Sequence, residues 1–151
     1  MINDILNNIT SSNPKFDNTP YSTWSTTPPA RKGKIGEEIA KCILEEDGYT
    51  IGAREAKTHD FIMNGKKTEV KTAFEARDKN DFMVYGYDPT SDASYWVVQL
   101  VRPTGISAYR LDRKNWSNLY IKKSGGGGTL TQFTEEQMIE SGAMKLYTVA
   151  A

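Results

Sequence analysis

Asp60 stands nine residues ahead of a Glu69-Val70-Lys71 triplet, with Asn64-Gly65 between them. Asn-Gly is a tight-turn signal, so residues 60–63 and 68–74 read as the two arms of a hairpin. On a strand, residues i and i+2 share a face, and Glu69 and Lys71 therefore point the same way. The hairpin can carry Asp60 close to them. Two carboxylates and an ammonium on one face are costly without a ligand. A hard divalent cation resolves that cost, because it takes oxygen ligands and keeps some of its waters; Mg²⁺ is the expected ion and Mn²⁺ its substitute. A lysine beside a metal-bound water can help form or orient hydroxide. This is the equipment of metal-assisted phosphodiester hydrolysis.

The elements that must position these residues are readable around them. Ile35, Ile39, Ile43 and Leu44 recur at helical spacing, which predicts a helix from Lys34 to a stop at Asp47-Gly48. Glu37 and Glu38 then fall in its first turn, where the helix dipole favours acids. Residues 49–53 read as a short strand and 82–87 as an alternating one. Residues 94–102 are the most strand-like run and are expected at the centre of the sheet. After a turn at Pro103-Thr104-Gly105, residues 106–111 return as a strand, and 112–116 form one helical turn. Thr134 and Gln137 match a capping box opening a helix that Gly142 ends, and 145–149 add a final strand.

Two segments carry no regular period. Residues 1–30, rich in Asn, Ser, Thr and Pro, read as an N-terminal arm. Tyr21 and Trp24 are its candidate anchors on the domain or a partner, and disorder until DNA or a second subunit arrives is the alternative. A helical turn within residues 2–9 is the exception. Residues 31–151 form the expected single domain, with a glycine-rich loop at 124–129. Four consecutive glycines suit neither helix nor strand. Without a strand–GxxxxGK[ST]–helix setting they do not make a phosphate loop.

Composition narrows the class. A chain of 151 residues is long enough for one real core. Its eight Tyr, five Phe and three Trp offset a modest apolar content. No apolar run reaches the ~20 residues of a membrane helix, and the first residues lack the pattern of a signal peptide. Cys42 and His59 are the sole cysteine and histidine, which excludes a Cys/His zinc site within one chain. A formal net charge of zero leaves only local basic clusters to meet a polyanion: Arg31-Lys32-Gly33-Lys34, Lys66-Lys67 and Lys122-Lys123. Each of these also fits an ordinary solvated surface.

Gly33-Lys34-Ile35-Gly36-Glu37, then Asp60, then Glu69-Val70-Lys71 resemble the PD-(D/E)xK nuclease superfamily. The likeness covers roughly residues 33–75 in motif terms. It implies an α/β (α+β) fold with a restriction-endonuclease-like core, a central mixed β-sheet flanked by helices. It implies that Asp60 and Glu69 are the metal carboxylates, that the Val70 carbonyl is a further ligand and that Lys71 is the catalytic lysine. Glu37, or Glu38 in its place, matches the helix carboxylate that joins the metal directly or through water. His59 stands where the motif name has proline.

The bland readings are a dipole-complementing Glu37, a surface Asp60, and a solvent-facing Glu69/Lys71 alternation. His59 is read as a hydrogen-bonded neighbour rather than a base. Thr72 joins Arg31, Lys32, Lys34, Lys66 and Lys67 as a candidate nucleic-acid contact. Gln99 and Arg102 are read as structural before DNA-facing.

The expected activity is that of a metal-dependent endodeoxyribonuclease, most simply a sequence-specific type II restriction-like enzyme. The expected partners are DNA and a second copy of the chain, since cutting both strands of a duplex is simplest for a two-fold dimer. A cytoplasmic location follows. The alternatives are a Holliday-junction resolvase, a phage DNA-processing or homing nuclease, and a non-catalytic nucleic-acid-binding module on the same fold.

Overall fold

Pro28-Pro29, read in sequence as the close of an arm, instead starts the main helix. The computed structural model describes residues 13–55, 59–85, 91–119, 122–123 and 129–151. A 3-10 turn at Pro14–Phe16 and a short helix α1 (Ser22–Ser25) precede the long helix α2 (Pro29–Glu46). Proline is suited to the first helical position because its missing N–H would have no partner there. The helix thus begins five residues before Lys34. Glu37 and Glu38 fall in its third turn, and the first turn holds no acid. Their reading as complements of the helix dipole is therefore corrected. The buried stripe is Gly36, Ala40 and Leu44, spaced by four.

Among the described residues the strands form two sheets. The larger has the order β1 (Ile51–Ala53), β2 (Phe61–Met63), β3 (Lys66–Phe74), β5 (Tyr95–Arg102), β6 (Gly105–Asp112) and β9 (Met144–Ala150). It is mixed: β3 and β5 run parallel, and the other pairs are antiparallel. Asn64 and Gly65 both have positive φ, 47° and 80°, which makes the two-residue turn between β2 and β3. The Met63↔Lys66 pairing follows. The expected strand at 82–87 is β4 (Asp81–Tyr85), and it sits in the smaller sheet, β4-β8-β7. Its partner β8 (Thr129–Thr134) went unread in sequence, and β7 spans Lys122–Lys123. Helix α3 (Arg113–Leu119) follows β6, and α4 (Glu135–Glu140) follows β8 with the expected Thr134/Gln137 capping box. The helical turn expected within residues 2–9 and the glycines at 125–128 lie outside the described residues.

The larger sheet is buried on both faces. On one, Val97, Val101, Ile106 and Ala108 pack with Leu44 of α2 and with Phe16 and Trp24. On the other, Trp96, Val98, Leu100 and Leu111 meet Phe82, Val84 and Phe133 of the smaller sheet, Trp116 of α3 and Met138 of α4. Phe16 and Trp24 both meet Phe74 edge-on, at 5.2 and 4.9 Å between ring centres, and the Trp24 indole donates to the Lys32 carbonyl. Burial of such a ring is worth roughly 2–3 kcal/mol, so Phe16 and Trp24 anchor residues 13–28 on the domain. Arg102 bonds Glu75 (3.2 Å) and Glu135 (3.1 Å), joining the end of β3 to α4. No helix among the described residues is long and apolar enough to cross a membrane.

Candidate functional site

The site is built where β3 loses one neighbour. β3 pairs with β5 from Thr68 to Phe74, but with β2 only from Lys66 to Thr68. Asp60, one residue before β2, sits at the point where the two arms part. Its backbone N–H donates to the Thr68 carbonyl (2.9 Å), and its Oδ2 accepts the Val70 N–H (2.6 Å). The side chain thus continues the ladder by one rung. A strand residue sends its N–H and C=O to the same side. The Val70 carbonyl therefore faces the same edge as the Asp60 carboxylate.

Glu69 and Lys71 share a face, in register with Trp96 and Val98. Lys71 Nζ lies 4.0 Å from Glu69 Oε1, and both side chains are about one-fifth exposed. The Trp96 indole N–H donates to Glu69 Oε2 (2.9 Å). That indole is fully buried and stacks on Trp116, with ring centres 6.1 Å apart. One oxygen of Glu69 is consequently fixed by a rigid donor.

Glu37 comes from the opposite face, on α2. It is half-buried, whereas Glu38 is exposed, so Glu37 is the helix carboxylate turned toward the sheet. Burial pushes its carboxyl up from the ordinary range, and the negative charge of Asp60 pushes it further; Lys34, 3.7 Å away, and Arg54 act in the other direction. A buried network sets the helix against β3. Gln99 Nε2 donates to the Gly36 carbonyl (2.8 Å) and to Thr72 Oγ1 (3.0 Å). Tyr147 donates to Gln99 Oε1 (2.6 Å).

The donor set fits a hard divalent cation in one way. Among the described residues, no three His, Cys, Asp or Glu side chains stand close enough to form a metal cage. Asp60, Glu69 and the Val70 carbonyl are the oxygen donors here that could hold Mg²⁺, an ion that keeps several of its ligands as water or phosphate. The carboxyl of Glu37 is raised first by burial and then by the charge of Asp60, so the two carboxylates are within electrostatic reach of each other.

The basic candidates divide. Arg31, Lys34 and Lys66 are exposed. Lys32 is half-buried, its ammonium 4.5 Å from the centre of the Phe74 ring. Lys67 is paired with Asp92 at 3.0 Å. Thr72 lies on the α2 side of β3 and bonds Gln99, so its hydroxyl serves the helix–strand contact. His59 is buried, and its Nε2 accepts the Glu55 N–H (3.1 Å), which ties it to the backbone before β2. The Lys122 and Lys123 side chains lie outside the described residues. Sequence reasoning missed Trp96 and Arg54, whereas the structural reading of Gln99 holds. Nothing local in the run Tyr95-Trp96-Val97-Val98-Gln99 marks which cross-strand groups those side chains meet.

No protein-family model and no curated protein matches the chain. Among solved structures, the chain is similar to that of a bacterial homing endonuclease, at a TM-score of 0.51 and 15% identity over 72% of this chain and 76% of that one. The likeness is one of fold.

Proposed function

We propose that this chain is a metal-dependent endonuclease that hydrolyses DNA phosphodiester bonds, in the manner of the PD-(D/E)xK enzymes. The observation that carries the reading is the splayed edge of β3. There the Asp60 carboxylate bonds the Val70 N–H, the Val70 carbonyl shares the edge, and Glu69 and Lys71 stand beside it on one face. The fold-level likeness to a homing endonuclease supports the nuclease reading in general.

Bound Mg²⁺ supplies Lewis acidity and a water of lowered pKa. Asp60, Glu69 and the Val70 carbonyl would hold it, with Glu37 beside them as a further acid. Lys71 Nζ donates to the attacking water and to the charge that builds on phosphorus. The Trp96 indole keeps Glu69 in one rotamer. Arg31, Lys32, Lys34 and Lys66 meet phosphates and set register. Two copies related by a two-fold axis cut the two strands of a palindromic site.

A sequence-specific restriction-like enzyme is the first reading, and a homing endonuclease is the second, favoured by the solved neighbour. Incubation with plasmid and Mg²⁺ tests both. Discrete fragments are expected. Asp60→Asn and Lys71→Ala should each lower cleavage by about 100-fold or more with the fold intact. Normal cutting by both variants ends the assignment. Cutting confined to four-way junctions would mark a resolvase instead.

A further inference from the structure

A cleft of about 480 Å³ lies between the first turns of α2, the free edge of β3 and the outer face of β4. Its two sides differ in chemistry. Along β4 the side chains alternate, Phe82 and Val84 entering the core and Met83 and Tyr85 facing out. Met83 is 39% and Tyr85 61% exposed. Two large apolar side chains at i and i+2 make one patch on an open strand face, which commonly marks an interaction site.

The facing side is cationic. Lys32 and Lys71 both line the cleft. Lys32 is half-buried over the Phe74 ring, and among the described residues no carboxylate lies within ion-pair reach of it. Burial pushes its ammonium below the usual lysine range, so an anion beside it would relieve that cost.

We infer that this cleft seats one nucleotide of the substrate strand next to the hydrolysed bond, its phosphate at Lys32 and its base against Tyr85 and Met83. The inference rests on the nuclease reading above and assigns that site a neighbouring subsite. An aromatic face and a nearby ammonium are the two halves of a nucleotide-binding surface. A second copy of the chain is the competing occupant of an apolar patch. Lys71 is already beside Glu69, but the half-buried Lys32 over Phe74 favours a polyanion over a protein whose formal net charge is zero. Stacking tolerates any base, so the subsite supplies affinity and strand position rather than base choice.

The test is fluorescence anisotropy of the full chain with a labelled mixed-sequence duplex and its single strand, Ca²⁺ replacing Mg²⁺ to suppress turnover. Tyr85→Ala should weaken binding about 5- to 100-fold, with Tyr85→Phe near wild type. Lys32→Ala should reduce the slope of log K against log salt by about one phosphate contact. Ile139→Ala, an exposed apolar position on α4, should change nothing. Unchanged affinity in both Tyr85→Ala and Lys32→Ala overturns the subsite. Self-association lost in Tyr85→Ala with DNA affinity intact also overturns it and assigns the patch to a second copy. If wild type binds and cuts DNA while these variants match it, the subsite alone fails. If wild type neither binds nor cuts any nucleic acid, the nuclease reading fails with it.

Discussion

Gly36→Ala probes the closest approach between α2 and β3. A β-carbon on Gly36 would stand 2.2 Å from Thr72 Oγ1, 3.0 Å from Thr72 Cβ and 3.4 Å from Gln99 Nε2. Favourable contact lies roughly 1 Å further out than the first of these. The helix must retreat by about that distance, or Thr72 must turn and give up the bond from Gln99. Alanine gains about 1 kcal/mol over glycine in a helix interior. Overpacking costs about 1–3 kcal/mol, and a lost hydrogen bond about 1 more. The net expectation is a loss of roughly 1–3 kcal/mol, or a fall in Tm of roughly 2–12 °C. Gly33→Ala is the control. Its β-carbon would meet nothing within 4 Å, so the same exchange should raise Tm by about 2–4 °C. Thermal unfolding followed by circular dichroism reads both. A shift of about 1 Å between Glu37 and β3 should also lower cleavage by about 100-fold. Thr72→Ala placed in Gly36→Ala should restore part of the stability, because the nearest clashing atom is gone. If Gly36→Ala is as stable as Gly33→Ala and cuts at the wild-type rate, the helix does not lie against β3 as described.

Three further outcomes are expected. Gln99→Leu removes the donor to the Gly36 carbonyl and to Thr72 Oγ1 and the acceptor of the Tyr147 hydroxyl, and should cost about 2–4 kcal/mol in urea unfolding; wild-type stability would remove the network from the account. Trp96→Phe removes the indole donor to Glu69 Oε2 and should weaken the apparent Mg²⁺ affinity in cleavage by about 10- to 100-fold, whereas an unchanged Mg²⁺ dependence would deny the indole its positioning role. Glu37 has a raised folded-state pKa, so the native protein binds more protons than the unfolded chain between the ordinary glutamate value, about 4.3, and that raised value. Stability of metal-free wild type should fall through this window as pH rises, and Glu37→Gln should be the more stable at neutral pH but not below the window. Parallel pH–stability curves would contradict it.

The strands that hold the acids were legible because their signals are local. Asn64-Gly65 specifies its turn by positive φ, and the Thr134/Gln137 box specifies a helix start within four residues. What escaped depends on distant partners. The early start of α2 is set by Pro29 and by Trp24, whose indole bonds the Lys32 carbonyl, eight residues on. β8 hides in Thr129–Thr134 because its alternation has meaning only beside β4 and the core that receives Phe133. The closeness of Asp60 to β3 and of Glu69 to Lys71 was readable from spacing. The bond from Trp96 to Glu69 joins residues 27 apart, and the choice of Glu37 over Glu38 turns on which side of α2 meets the sheet.

The most direct measurement is anomalous diffraction from crystals soaked in Mn²⁺. The account predicts one peak within about 2.1–2.3 Å of an Asp60 oxygen, a Glu69 oxygen and the Val70 carbonyl, and its loss in Asp60→Asn. A peak elsewhere, or none at this edge in a protein that cuts DNA, would contradict it.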